Sequence, residues 1–191
     1  MKSSNFYEKT FKEKIFSNEE VRNAHFECCV FENCSFANIN FIETVFEDSE
    51  LENCDFTGAF LNETALRKVT FNSCKLIGIN FEEINPFGLN LEFENCNLDY
   101  ATFYNLKLIA TPLVNCSLKG ADFSNADLTK SNFVSSNLTE TVFNHTKLTK
   151  VDFRESKNYT INPSVNSLKG ALFSKDGLFG LLSVFGIKVE G

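Results

Sequence analysis

The stretch Phe31-Glu32-Asn33-Cys34-Ser35-Phe36 returns as Leu51-Glu52-Asn53-Cys54-Asp55-Phe56 and as Phe71-Asn72-Ser73-Cys74-Lys75-Leu76, each time 20 residues on. After one step of 22 it stands as Phe93-Glu94-Asn95-Cys96-Asn97-Leu98, and 20 further on as Leu113-Val114-Asn115-Cys116-Ser117-Leu118. Within the phrase an apolar residue recurs every five. That period is neither the 3.6 of a helix nor the 2 of a strand. A helix would smear these residues around its surface, and a flat strand would alternate them between faces. Only a chain that turns a corner every five residues points all of them inward. Four such sides close a square coil of 20 residues, the period of the phrase. Coils stack at strand spacing, ~4.8 Å, so six of them give a rod roughly 30 Å long. Each coil buries its apolar ring only against the coils above and below, so the ends need caps.

The central apolar residues run unbroken from Phe26 to Phe81 and then, in a register shifted by two, from Phe93 to Phe153: 12 repeats before the shift and 13 after it. Two residues before the centres stand small or β-branched partners such as Ala24, Cys29, Cys34, Ile39 and Thr44. The solenoid is therefore placed at 24–157, with a register break at 82–92. There Pro removes a ladder donor and Gly admits positive φ, which predicts a bulge or short loop of Asn85, Pro86, Phe87, Gly88 and Leu89 with Phe87 pushed outward. That bulge is either a recognition loop or a tolerated slip in the repeat.

Residues 1–23 carry Phe6, Phe11, Phe16 and Val21 on the same step. Three of the positions two before them, Lys9, Lys14 and Glu19, are too large or charged to point inward. The segment reads as a partial coil or strand that caps the first repeat. Residues 158–191 read as a capping or dimerisation module. A turn through Asn158–Pro163 leads to a short C-terminal α-helix opened by Lys175-Asp176-Gly177, with Asp176 as N-cap. Leu178, Leu181, Leu182 and Phe185 share one apolar face, and Gly186 ends the helix. Ile187-Lys188-Val189 then has the pattern of a strand. An apolar helix on the end of a rod either caps it or joins two rods through Leu178, Phe179, Leu181, Leu182, Phe185 and Ile187.

The chain has 22 Phe, no Trp and 1 Met, which means one packing slot filled many times. Seven Cys without a C-x-x-C pair are neither a disulfide framework nor a zinc site. They are small core residues pointing in parallel, apart from Cys28 at an outward position. His25 and His145 are the only histidines and lie far apart. No catalytic constellation, metal site or cofactor is expected, and the reading is that of a non-enzyme. No run is long and apolar enough to span a membrane, and the opening residues lack an apolar signal core, so a cytoplasmic protein is expected.

The net charge of −7 argues against direct nucleic-acid binding. It is also unevenly spread. Residues 24–94 hold 13 Asp/Glu against 3 Lys/Arg, a net of −10, while each of the remaining segments is close to neutral. The period stacks part of this acidity. Glu43, Glu63 and Glu83 form one outward row, and Glu32, Glu52 and Glu94 another, interrupted by Asn72. Glu47, Asp48 and Glu82 lie nearby. Stacked like charges destabilise a rigid rod, so solubility is an incomplete reason for them. They resemble a row of phosphates.

Ala121-Asp122-Phe123, Ala126-Asp127-Leu128, Ser131-Asn132-Phe133 and Ser136-Asn137-Leu138 resemble the motif of the pentapeptide-repeat family, a small residue, then Asn or Asp, then Leu or Phe. The resemblance covers roughly 24–157 and implies a right-handed quadrilateral β-helix. A narrower resemblance rests on Glu13-Lys14-Ile15-Phe16, on the mid-rod interruption and on Gly177-Leu178-Phe179-Gly180-Leu181-Leu182-Ser183-Val184-Phe185-Gly186-Ile187-Lys188-Val189. These are similar to the Qnr quinolone-resistance proteins. The compact length and Ile161-Asn162-Pro163 look closer still to the microcin immunity protein of that group. The resemblance implies a homodimer that binds DNA gyrase or topoisomerase IV where duplex DNA would lie and protects it from quinolones or peptide toxins. One departure stands out. The Qnr proteins carry an earlier second loop, whereas residues 24–81 run here without interruption. From the residues alone, an interaction scaffold with a different partner remains the alternative.

Overall fold

In the computed structural model, which describes residues 4–187, the chain winds into a right-handed quadrilateral β-helix with a short C-terminal α-helix. Most of its strands lie within one five-residue side, and β5 and β6 run on across a corner at Asp48 and Lys68: β1 (Asn5–Tyr7), β2 (Thr10–Lys12), β3 (His25–Glu27), β4 (Val30–Glu32), β5 (Val45–Glu52), β6 (Ala65–Asn72), β7 (Leu91–Glu94) and β8 (Leu113–Val114). All pairings are parallel. Every pairing down to β5–β6 is offset by 20 residues, for example Phe31↔Leu51 and Leu51↔Phe71. Between β6 and β7 the offset becomes 22, as in Phe71↔Phe93. Farther along the rod, isolated parallel bridges carry the same stacking.

The corners have a single recurring cause. Two residues after almost every centre the backbone takes a positive φ, as at Asn33 (55°), Asn53 (51°), Asn95 (55°) and Asn115 (53°). Asn tolerates this left-handed conformation through its short polar side chain. The amides also bond along the rod. Asn53 Nδ2 donates to Asn33 Oδ1 at 2.6 Å, and Asn95 Nδ2 to Asn72 Oδ1 at 3.2 Å. Inside the corners the Phe rings lie parallel and offset one coil apart. Phe103 lies over Phe123 at 4.7 Å with the rings parallel within 1°, and Phe81 over Phe103 at 4.6 Å. Adjacent sides meet edge to face, as in Phe26–Phe31. Both arrangements are favoured by the ring quadrupole.

The Cys ladder is part of the backbone bonding. Where a corner is too open to close its own turn, the small residue of the next coil fits into it. Cys74 Sγ donates to Leu51 O at 3.3 Å, and Cys54 N donates to the same sulfur at 3.4 Å. Ser136 does this for Leu113 O (2.7 Å) and Cys116 N (2.9 Å). Ser49 does it for Phe26 O and Cys29 N. Near the C-terminal end the longer Asn166 takes the role, bonding Phe143 O and Thr146 N. The slot therefore selects for a small side chain that can both donate and accept. Burial pushes the Cys29 and Cys34 thiols up. Cys74 and Cys116 are pushed up too, first by hydrogen bonding to neighbouring thiols of the ladder and then by burial. The exposed Cys28 thiol is pushed up as well, by desolvation and then by the Asp48 and Glu27 carboxylates. It is less reactive than its exposure suggests.

Both ends carry the stack beyond residues 24–157. The N-terminal segment pairs as a coil of its own, with Phe6 stacked on Phe26 at 5.0 Å and Phe16 on Phe36 at 4.7 Å. Lys9, Lys14 and Glu19 escape burial, and the fourth side is replaced by one helical turn, α1 (Asn18–Val21). Ser17 and Glu20 form its capping box. Lys14 covers the open end. Its Nζ lies 4.6 Å from the Phe16 ring centroid and 5.4 Å from that of Phe11, and 2.8 Å from Glu20. At the other end stacking continues past 157, with Asp152↔Leu172 bridged and Phe173 parallel to Phe153 at 5.2 Å. The end module is a 3₁₀ turn at Lys175–Gly177, α2 (Phe179–Leu182) and a 3₁₀ turn at Ser183–Phe185. Ser174, not Asp176, is the N-cap, so Asp176 sits in the first turn. Gly186 ends the module at φ 67°, as expected.

The turn-bridging role of the ladder gives a direct test. In Cys74→Ala the buried Leu51 carbonyl and Cys54 amide lose their bridge, which should cost about 1–3 kcal/mol in urea denaturation. Cys74→Ser restores donor and acceptor and should recover most of that loss. Equal destabilisation by both would mean that the slot reads volume alone.

Candidate functional site

The strand register puts Glu32, Glu52, Asn72 and Glu94 in one ladder column, as the period required. Glu43 and Glu63 occupy one corner, at φ 55° and 56°. Glu83 stands at the same corner outside the left-handed region, with its carbonyl accepting Glu63 N at 2.9 Å. Its carboxylate accepts a hydrogen bond from Asn62 Nδ2.

The acidic residues are not equivalent. Glu32 is held by Lys12 Nζ at 2.7 Å, and Asp48 by Lys68 Nζ at 2.9 Å. Glu47 lies 3.3 Å from both Arg67 Nη1 and His25 Nε2. Among the described residues, Glu43, Glu52, Glu63, Glu82, Glu83 and Glu94 have no ion-pair partner. The uncompensated surface therefore includes one corner row, Glu43–Glu63–Glu83, and on the flat side the Glu52/Glu94 column with the parallel Glu50/Glu92 column. His25 does have a carboxylate neighbour, which the sequence did not signal. No hydrogen bond joins it to a hydroxyl or thiol, and no group of three metal-ligating side chains forms among the described residues. No helix among them is long and apolar enough to cross a membrane.

The insertion forms a tight loop. Asn85 still bridges Ala65 in the old register, and Asn85 Oδ1 accepts Phe87 N at 3.0 Å. Phe87 is 76% exposed. Leu89 does not belong to the outward part, because it turns back and packs against the core where the missing centre would be. Arg67, which the sequence reading overlooked, holds the loop. Its guanidinium carbon lies 5.6 Å from the Phe87 ring centroid, and its Nε donates to Phe87 O at 3.5 Å. The signal was present in the sequence, since Arg67 precedes Phe87 by one coil period.

The apolar end module splits its face. Leu181 packs against the core, whereas Leu178, Phe179, Leu182, Phe185 and Ile187 are exposed. Lys188 and Val189, expected to form a strand with Ile187, lie outside the described residues. The module is docked on Tyr159, a buried ring beside Phe153 and Phe173. Gly177 and Gly180 lie so close to Tyr159 that a Cβ at either would collide with it, and Ile161 N donates to Gly180 O at 3.0 Å.

A family profile described as "Pentapeptide repeat region" matches residues 24–103 and 89–162. No curated protein sequence matches the chain. Among solved structures, a trypsin-treated form of QnrB1, a plasmid-mediated fluoroquinolone resistance protein, is similar over 99% of this chain and 100% of its own, at 17% identity and a TM-score of 0.66. A second trypsin-treated form gives 95% and 99% coverage, 17% identity and a TM-score of 0.54. HetL, a pentapeptide repeat protein involved in heterocyst differentiation regulation from the cyanobacterium Nostoc sp. strain PCC 7120, overlaps 88% of this chain and 86% of its own, at 16% identity and a TM-score of 0.44. The likeness is one of fold.

Proposed function

The chain belongs to the pentapeptide-repeat family, and from that premise we propose that it is a cytoplasmic, homodimeric DNA mimic that binds a type II topoisomerase, DNA gyrase or topoisomerase IV. In this role it protects the enzyme from a quinolone-type or peptide-toxin inhibitor. It acts as a scaffold and not as an enzyme.

Linear charge density carries the reading. The net −10 of residues 24–94 lies on a short length of rod. About three and a half coils at ~4.8 Å each give one negative charge per ~1.7 Å of axis. Duplex DNA carries one per about 1.7 Å. The charges sit on a backbone fixed by parallel ladders, and six of the carboxylates singled out above are free of cations. A duplex-binding groove, basic by necessity, would meet a rod of similar charge density whose carboxylates are already positioned. The fold shared with QnrB1 agrees with this reading.

A second reading, a scaffold for some other protein, is favoured by the Phe87 loop, an exposed aromatic that contributes no charge. Charge reversal separates the two. Glu43→Lys, Glu63→Lys and Glu83→Lys together should abolish topoisomerase binding and protection in a supercoiling assay with and without a quinolone. Binding by the unaltered protein should weaken steadily as salt rises. Absence of any interaction with either enzyme at low salt would sink the topoisomerase reading.

The exposed Leu178, Phe179, Leu182, Phe185 and Ile187 support dimerisation through the end module. Leu182→Asp should halve the mass measured by sedimentation while leaving thermal stability nearly unchanged. An unchanged mass would make the module a cap only.

A further inference from the structure

We propose that the groove between the Phe87 loop and the following coil seats one large apolar side chain from a basic protein segment. The inference rests on reading the rod as a protein-binding surface, but not on the partner being a topoisomerase.

The groove has a volume of about 630 Å³ and is walled by Pro86, Phe87 and Leu89 on one side and by Leu106 and Ile109 on the other. Phe87 is 76% and Ile109 53% exposed. Two large exposed apolar side chains facing one groove are unfavourable in water unless something covers them. The space suits one apolar side chain and the backbone that bears it.

The groove is also held in shape. Arg67 stacks on Phe87 and bonds its carbonyl, and Gly88 packs so closely on the Arg67 stem that a Cβ there would sit 3.3 Å from it. Gly88 has φ 74°, which a larger residue would adopt only under strain. The charge of Arg67 is matched by Glu47 at 3.3 Å, so it does not repel a cationic partner as a free guanidinium would. A partner side chain entering here finds a preformed wall and costs little ordering of the rod.

Charge identifies the rest of the occupant. On the N-terminal side of the loop, Glu43 and Glu63 line a depression with Arg67 and Asn85, and neither carboxylate has an ion-pair partner. On the C-terminal side, the groove is bounded by Lys107. The segment that fits therefore carries Lys or Arg on the side of its apolar anchor that meets Glu43 and Glu63. A neutral or acidic residue lies on the side that meets Lys107. Uniformly basic segments fit the acidic row but gain nothing from the groove.

Two fluorescein-labelled peptides test this against the full-length protein. One is a short chain of Lys, Gly and Ser with a single central Phe, and the other replaces that Phe by Ser. By fluorescence anisotropy at low salt, the Phe peptide should bind roughly tenfold more tightly. The variant Phe87→Ser/Ile109→Ser should erase that ratio, and because both side chains are exposed it should keep the parent melting temperature. Glu43→Gln/Glu63→Gln should weaken both peptides while preserving the ratio. Equal binding of the two peptides, a ratio that survives Phe87→Ser/Ile109→Ser, or no binding of either peptide would overturn the proposal. A topoisomerase that fails to bind while the peptide ratio holds would remove the topoisomerase reading alone.

Discussion

A positive φ two residues after almost every inward Phe or Leu is the constraint on which the molecule depends. The non-glycine residues in this conformation range from φ 46° at Asp48 to 66° at Lys130. An L-residue in the left-handed region costs roughly 1–2 kcal/mol in a regular structure, less for Asn. Repeated along the whole rod, that strain is large, and local propensity does not offset it. It is offset by what the corner makes possible. Both the centre and the small residue of each repeat turn inward, each ring meets its counterpart one coil away, and each side keeps its parallel ladder. A buried Phe or Leu contributes about 1.5–3 kcal/mol, comparable to or greater than the strain of its corner.

The same geometry explains why the core is uniform in size but not in chemistry. Centres must be Phe or Leu because the square section leaves one large slot per side. The inner small position has a second duty where a corner stays open, namely to bond both its amide and its carbonyl. Cys74, Ser49 and Ser136 satisfy this, whereas Thr44, Thr64, Thr141 and Thr146 bond only the carbonyl of a turn that closes itself, and Ala121 stands over another such turn, in which Ala101 N–H reaches Leu98 O at 3.1 Å. A row of cysteines that resembles a redox site is thus a solution to backbone bonding. Its thiols are buried and paired with carbonyls.

A backbone this regular fixes outward side chains in rows, and function follows from which rows are left uncompensated. Lys12, Lys68 and Arg67 neutralise Glu32, Asp48 and Glu47, which leaves the Glu43–Glu63–Glu83 corner and the Glu52/Glu94 and Glu50/Glu92 columns among the uncompensated carboxylates. The register shift falls just beyond that corner and adds a loop with Phe87 facing outward. Acid row and apolar groove are therefore neighbours because the insertion lies on the side that follows the corner carrying the row. A partner reading both must present charge and an apolar anchor in a fixed order.

Much of this was determined by the sequence alone. The coil, its period, the inward and outward faces, the Asn corners and the displaced Phe87 all follow from residues repeating at five and twenty, because in a solenoid every coil has the same neighbours and a local pattern is also the global one. The ends and the long side chains were decided only by the tertiary structure. Lys9, Lys14 and Glu19 looked incompatible with a coil, yet the first coil forms because a terminal coil has solvent on one side and lets them lean out. Leu181 shares a helical face with Leu178, Leu182 and Phe185, but Tyr159 docks the helix so that Leu181 alone turns to the core. Arg67, Lys12 and Lys68 stand one coil period from Glu47, Glu32 and Asp48, so the period aligns them, but only the structure decides which of these long side chains meet. Periodicity fixes where a backbone goes, whereas pairing between coils depends on how far each side chain reaches once the backbone is there.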